Sequence, residues 1–309
     1  MVEIAGAEEK AAKTSRAIRA ETPAVTAFME FAQSPVAVGG LVVAIVLSLM
    51  AIFAPYLTPQ NPYDLRQISI MDSVMPPGSQ SLDGMTFILG TDSQGRDMYS
   101  AMVYGLRVSL AVALSATAIA LAIGVTLGTI AAYFGGRVDT LVMRLVDIQL
   151  SFPAILVALI LLSVLGRGID KVIFALVTVQ WAYYARTIRG SALVERRREY
   201  IEAAQCLGLS SPRIMFRHLF PNALPPLIVV ATVQVANAIS LEATLSFLGI
   251  GVPITEPSLG LLIANGYDYL LSGKYWISVF PGVALLVTIV AINLVGDRLR
   301  DVLNPRLKR

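Results

Sequence analysis

The sequence predicts an all-α integral membrane protein with six transmembrane helices and both termini in the cytoplasm. Three observations carry that reading. The 309 residues are 56% hydrophobic and only 15% charged, whereas soluble domains average about 45–50% apolar and about 25% charged. Six charge-free runs cover residues 31–63, 108–136, 148–166, 172–185, 219–241 and 275–296, and all but the fourth reach the roughly 18 residues that a spanning helix needs. The basic residues are also divided unequally between the two sides that six crossings define.

With six spans, 18 of the 24 Lys and Arg residues fall on one side: four in the N-terminal arm, two at 137–144, seven at 186–217 and five after 297. The other side receives Arg66, Arg96, Arg107, Arg167, Lys171 and Lys274, although it owns the longest loop. Basic residues favour the cytoplasm, which places both termini inside. The fourth run, "VIFALVTVQWAYYA", has 14 residues and on length alone also suits a re-entrant segment. Removing it puts the seven-base loop or the basic tail outside, against the charge rule, so it counts as a span. Trp181, Tyr183 and Tyr184 resemble an interfacial belt there, and Arg186 can snorkel.

In chain order, residues 1–34 form a cytoplasmic arm and 35–57 the first transmembrane helix. No A-x-A site closes that helix, and its apolar run exceeds the roughly 7–15 residues of a signal-peptide core, so it reads as an uncleaved anchor. Residues 58–104 form an extracytoplasmic segment in which "NPY", "MPPGSQSLDG" and "GTDSQGRD" mark turns. Within it, Asp92 and Asp97 flank Gly95 and Arg96, an arrangement that suits an ion or partner site, or a turn held by Asx-type hydrogen bonds. Residues 105–298 hold the other five helices. Gly124, Gly128, Ala131 and Ala132 allow close helix approach, and 248–274, opening "GIGVPITEPSLG", reads as a structured outer turn. Residues 299–309 are a cytoplasmic tail.

Several chemistries lack their parts. The chain has one cysteine, Cys206, and one histidine, His218, which excludes an internal disulfide and a multi-cysteine zinc site, and no metal site is expected. There is no G-x-x-x-x-G-K-[ST] loop, since Gly273-Lys274-Tyr275 lacks its required neighbours, and there is no G-x-S-x-G or H-E-x-x-H. The chain is therefore expected to be neither an enzyme nor a cofactor carrier. Asp147 and Glu242, at the edges of the third and fifth apolar runs, are the ionisable candidates. The first lies near the inner start of the third span and the second about 20 residues into the fifth, near the outer surface. Neither is central, which disfavours an ion-driven carrier. A DNA-reading role fails because the basic loop is tethered to the membrane at both ends.

That loop is the most informative stretch. "ERRREYIEAAQCL", residues 195–207, reads as a helix with Gly208 as the left-handed residue beyond its end. Ser211 and Pro212 then start a second helix, "PRIMFRHLF", before Pro221 introduces the next span. Tyr200, Ala203 or Ala204, and Leu207 make a narrow apolar face flanked by Glu202 and Gln205. Such a face suits either a groove on a soluble partner or the protein's own bundle and lipid headgroups.

"EAAQCLG" followed nine residues later by "HLFP" resembles the EAA loop of membrane subunits of bacterial ABC importers. "LGTDSQGRDMYSAMVYGLRVSL", "AAYFGGRVDTLVMRLVDIQLSFP", "FRHLFPNALPPLIV", "EATLSFLGIG" and "NLVGDRLRDVLNPRLK" are similar to the C-type permeases of dipeptide, oligopeptide and nickel systems, a resemblance covering 31–309. It implies a type I ABC importer permease fold in the bacterial inner membrane. The implied partners are a homologous second permease, two cytoplasmic ATPase subunits that carry ATP and Mg, and an extracytoplasmic solute-binding protein. It further implies an ATPase-coupling loop at 195–222 acting through Tyr200, Glu202, Ala203, Ala204, Leu207, Gly208 and Pro221, and binding-protein contacts in the outer segment, with Asp92, Arg96 and Asp97 as candidates. Short peptides are the implied solute, with nickel complexes, glutathione-like peptides or oligosaccharides as alternatives, and no pathway residue is assigned. Two departures from the family pattern are Leu259, where relatives commonly carry tryptophan, and Asn304, where aspartate is usual.

Overall fold

A computed structural model describes residues 23–81 and 84–303, so the start of the N-terminal arm and Asn304 lie outside the described residues. The first helices are α1 (Pro23–Ala32) and α2 (Pro35–Ile52). Ser34 separates them and accepts a bond from Ala37 N at 3.4 Å, with Pro35 fixing the first turn. The expected first span at 35–57 is thus α2 followed by one short turn at Ala54–Leu57.

Helix α3 (Met98–Phe134) has 37 residues, about 55 Å at 1.5 Å per residue and far longer than the ~30 Å hydrocarbon core. It begins ahead of residue 105, where the sequence placed the boundary, because Asp97 caps it by accepting from Ser100 N at 2.8 Å. Helices α4 (Gly136–Ser151) and α5 (Ala154–Leu165) follow, bent by 90° at the break between them. The expected third span at 148–166 is therefore broken rather than straight. Pro153 has no N–H to donate and drives Phe152 into extended geometry, φ −100° and ψ 142°.

Helix α6 (Ile169–Glu195) contains the short fourth run as one continuous helix of 27 residues, not a re-entrant turn. Among the described residues, four helices are long and apolar enough to cross a membrane: α2, α3, α8 (Leu224–Phe247) and α10 (Trp276–Leu303). The bent α4–α5 pair makes a fifth if counted as one crossing. Helix α6 is less apolar because it faces protein, with Leu176, Gln180, Tyr184 and Ile188 all buried. Its main partner is α3, along the small-residue stripe. A Cβ on Gly124 would stand 2.6 Å from Tyr184 Cβ, one on Gly128 would stand 2.5 Å from Ile188 Cγ2, and each would also strike an α6 carbonyl.

The remaining elements are α7 (Glu199–Cys206), a helical segment at 211–222, and α9 (Leu259–Tyr267). The second outer loop is more than a turn. Ser258 caps α9 through Leu261 N at 3.2 Å, and Leu259, Gly260, Leu261 and Leu262 are buried against α3, α8 and α10. Leu259, the departure from the family pattern, is a core residue.

Phe31, Ala37 and Val302 cluster at one end of the bundle, which joins α1 and the start of α2 to the end of α10. Arg298 also donates to the Glu30 carbonyl there. At the opposite end sits the 58–104 segment: turns and one short antiparallel hairpin of β1 (Ser79–Gln80) and β2 (Thr86–Phe87), paired Ser79 to Phe87. It is pinned to α10 where Trp276 Nε1 donates to the Thr91 carbonyl at 3.2 Å.

Candidate functional site

The 195–222 loop starts with a break that the sequence reading did not foresee. Helix α6 ends at Glu195, and Arg198 is extended, φ −82° and ψ 143°, before α7 begins. Arg196 turns back and donates to the Ala132 carbonyl at 3.0 Å. That carbonyl is among the last four of α3, which have no partner within their own helix and carry the negative end of its dipole. Arg196 thus ties the loop to α3, and the expected 195–207 helix is broken where Arg198 leaves helical geometry.

Helix α7 has two sharply different faces. Ile201 and Ala204 are buried in the main core with Ile214, Leu219 and Ala223, so Ala204 anchors the helix and does not belong to the outward face. Tyr200, Glu202, Ala203 and Leu207 point away from the bundle, with Leu207 79% exposed and Tyr200 39% exposed. Tyr200, Ala203 and Leu207 follow i, i+3, i+7 spacing and make one stripe. The Tyr200 hydroxyl donates to Glu195 Oε2 at 3.0 Å, and partial burial together with that carboxylate raises its pKa.

The end of α7 is a complete Schellman motif. Gly208 has φ +71°, its N–H donates to the Gln205 carbonyl at 2.9 Å, and Leu209 N donates to the Ala204 carbonyl at 3.2 Å. Ser210 rather than Ser211 holds the N-cap position of the second segment, without a side-chain capping bond. Ser211 Oγ instead accepts from the Tyr133 hydroxyl at 3.3 Å, a second tie to α3. Residues Ile214–Leu219 are π-helical, with Phe220 N bonded to the Met215 carbonyl. Pro221, exposed next to that bulge, has no N–H to continue an α-helical ladder.

The outer candidates behave differently. Asp92, Arg96 and Asp97 are 0%, 1% and 1% exposed, so their side chains offer no surface to a docking protein. Asp92 accepts from Gln94 N at 2.8 Å and Arg96 N at 3.0 Å while pairing with the Arg96 guanidinium at 2.6 Å. This is the Asx-type turn, locked by a buried ion pair. Asp97 accepts from Ser100 Oγ at 2.6 Å as well as its N–H. Burial nevertheless raises its pKa, with those bonds opposing the shift.

Of the two ionisable residues singled out at the edges of the runs, Asp147 pairs with Arg186, joining α4 to α6, while Arg189 grips Asp139 at 2.9 and 2.5 Å beside it. Glu242 is fully buried and accepts from Ser109 Oγ at 2.8 Å and Ser246 Oγ at 2.7 Å. Glu242 is thus satisfied inside the bundle, whereas the Asp147–Arg186 pair lies exposed on its surface.

The sequence reading missed a set of neutral polar groups. Gln180 Nε2 donates to the Gln234 carbonyl at 3.2 Å, Thr117 Oγ1 donates to Gln180 Oε1 at 3.3 Å, and Asn237 Nδ2 donates to Gln234 Oε1 at 2.6 Å. Gln234 and Asn237 border a half-open cavity of about 630 Å³ between α6, α8 and α10, and Gln180 borders a second cavity beside it. The signal was present as amides inside the charge-free runs at 172–185 and 219–241.

Residues 124–309 match the family described as binding-protein-dependent transport system inner membrane component, and 22–77 match the N-terminal TM domain of oligopeptide transport permease C. A putative peptide transport system permease protein of Brucella suis is 42% identical over 269 residues, 87% of each chain. A di/tripeptide transport system permease protein of Pseudomonas aeruginosa is 36% identical over 91% of each chain. An oligopeptide transport system permease protein of Bacillus subtilis is 34% identical over 99% of this chain and 95% of its own. In solved structures, a chain of the MetNI methionine ABC transporter in an inward-facing conformation shares the fold, with a TM-score of 0.54 and 22% identity over 67% of this chain and 98% of that one. The helical bundle, the match over 124–309 and the near full-length relatives together establish that this chain belongs to the family of binding-protein-dependent transport system inner membrane components.

Proposed function

We propose that this chain is the permease subunit of an ATP-driven importer that moves short peptides across a bacterial inner membrane. The observation that carries the coupling role is the α7 stripe: Tyr200, Ala203 and Leu207 exposed beside Glu202, on a helix held from behind by Ile201 and Ala204. An exposed apolar stripe on a short, well-anchored helix fits a groove on a soluble subunit. The peptide solute follows the names of the relatives.

In this reading the chain crosses the membrane six times, with α6 and the bent α4–α5 pair included and both termini cytoplasmic. A homologous permease completes the pathway, two ATPases bind ATP and Mg, and an extracytoplasmic protein delivers the solute. ATP binding draws the ATPases together and displaces α7. The Arg196–Ala132 and Tyr133–Ser211 bonds then carry that movement into α3, and hydrolysis resets the bundle. The outer segment at 58–104 receives the binding protein through surface other than the Asp92–Arg96 pair.

Gentle extraction of a tagged chain, followed by mass spectrometry of what co-purifies, tests this. Wild type should bring down a second permease and ATPases, and Glu202→Arg should lose the ATPases while keeping the permease. Recovery of the wild-type chain alone, as a homo-oligomer, would overturn the proposal.

A further inference from the structure

The cavity between α6, α8 and α10 continues along α8. A second cavity of about 350 Å³, bordered by Ile155, Gln180, Ser240 and Leu241, shares Tyr183, Gln234 and Asn237 with the first. Together they follow α8 from Pro226 to Leu241, about 22 Å at 1.5 Å per residue. A peptide extends about 3.3–3.6 Å per residue, so the channel matches a short extended peptide.

The wall chemistry is specific. Asn237 lies 13 residues into α8, about 20 Å from its inner end and therefore deep in a ~30 Å hydrocarbon core. Asn237 and Ser240 are exposed there, and a polar group facing lipid without a partner is costly. This face of α8 therefore borders water or ligand rather than acyl chains. Asn237 uses one amide hydrogen on Gln234 Oε1, which leaves a second donor and its own carbonyl. Gln180, held by Thr117 and the Gln234 carbonyl, fixes Gln234 in turn. The border of the second cavity carries amides, hydroxyls and apolar side chains with no acidic or basic residue, whereas the first also carries one acid and one base, Asp297 and Arg300.

We infer that Gln234 and Asn237, with Tyr183 and Ser240, form the solute-bearing wall of the translocation pathway and recognise the peptide backbone rather than side chains, Gln180 acting as a positioning residue. Every peptide unit offers one donor and one acceptor whatever its sequence. A rigid, neutral amide wall pairs with that pattern and neither attracts nor repels charged side chains. The inference rests on the proposed peptide-permease function and extends it to named residues.

The test uses the assembled importer in vesicles, with Cys206→Ser as parent so that the chain carries no native thiol. Uptake is measured for trialanine, trilysine and triglutamate. Loss of one or two neutral hydrogen bonds in Asn237→Leu should lower all three by a similar factor of about 3–10, and Asn237→Gln should recover most of it. An Asn237→Cys thiol should react with a cationic methanethiosulfonate added from the α7 side and be protected by trialanine. Ile45→Cys, exposed on α2, should stay unreacted. Loss confined to one peptide would overturn backbone recognition. Normal uptake by Asn237→Leu with an unreactive Asn237→Cys would overturn the pathway assignment. If Leu207→Asp still abolishes uptake in that case, the permease reading stands alone. A parent complex that moves none of the three peptides would defeat both.

Discussion

Replacing Gly208 isolates the contribution of one backbone angle to coupling. Its φ is +71°, and a Cβ built there meets nothing within 4 Å, so substitution costs conformation and not space. An alanine in the left-handed region costs about 1–2 kcal/mol, a factor of about 5–30 in the balance between the Schellman end and a frayed one. Asparagine tolerates that region better and should cost only part of this. Proline cannot reach positive φ, removes the bond from Gly208 N to the Gln205 carbonyl, worth about 0.5–1.5 kcal/mol, and expels Leu207 from its φ −75°, ψ 1° conformation. Uptake by the assembled complex should fall in the order Gly, Asn, Ala, Pro, with the proline form inactive yet present in the membrane at normal level. Full uptake by Gly208→Pro, or an alanine form as active as wild type beside a weaker asparagine form, would refute the argument.

Gly128→Ala forces a methyl group toward the Ala185 carbonyl and to 2.5 Å from Ile188 Cγ2. It should cost about 1–3 kcal/mol, read as a lower midpoint of thermal aggregation in detergent, and an unchanged midpoint would contradict the close α3–α6 contact. Arg96→Ala leaves Asp92 charged and buried without its partner and should destabilise by about 3–5 kcal/mol. It should deplete the protein from the membrane rather than selectively weaken binding-protein docking, and a stable variant that loses only docking would reverse that assignment.

The 195–222 loop shows where sequence reading succeeds and where it stops. Gly208 was legible because a left-handed residue after a helix-forming stretch has one favoured identity. The break at Arg196–Arg198 was not, because Glu and Arg are good helix formers and nothing in the local sequence marks Arg198 as extended. Spacing alone placed Tyr200, Ala203 and Leu207 on one stripe but left Ala203 and Ala204 undivided, since only the packing of Ile201 against the core sets the rotation of α7.

Asp92, Arg96 and Asp97 illustrate the same limit for charge. Charged residues in an outer loop suggest contact with a partner, yet here they are buried because each finds its counterpart within a few residues. Gln180, Gln234 and Asn237 went unread for the opposite reason: neutral amides do not interrupt a charge-free run, and their meeting depends on the packing of two helices, α6 and α8, far apart in sequence.

The sequence by itself determined membrane residence, the positions of the apolar helices, the small-residue seam on α3 and the αL helix stop at Gly208. These follow from composition, run length and local backbone preference, which act over at most a few turns. Only the tertiary structure decided which face of α7 looks outward, that α6 is a protein-covered central helix, and that amides from α6 and α8 meet at one cavity. Burial and hydrogen-bond partnership depend on groups tens of residues away, and those distances close only when the bundle packs.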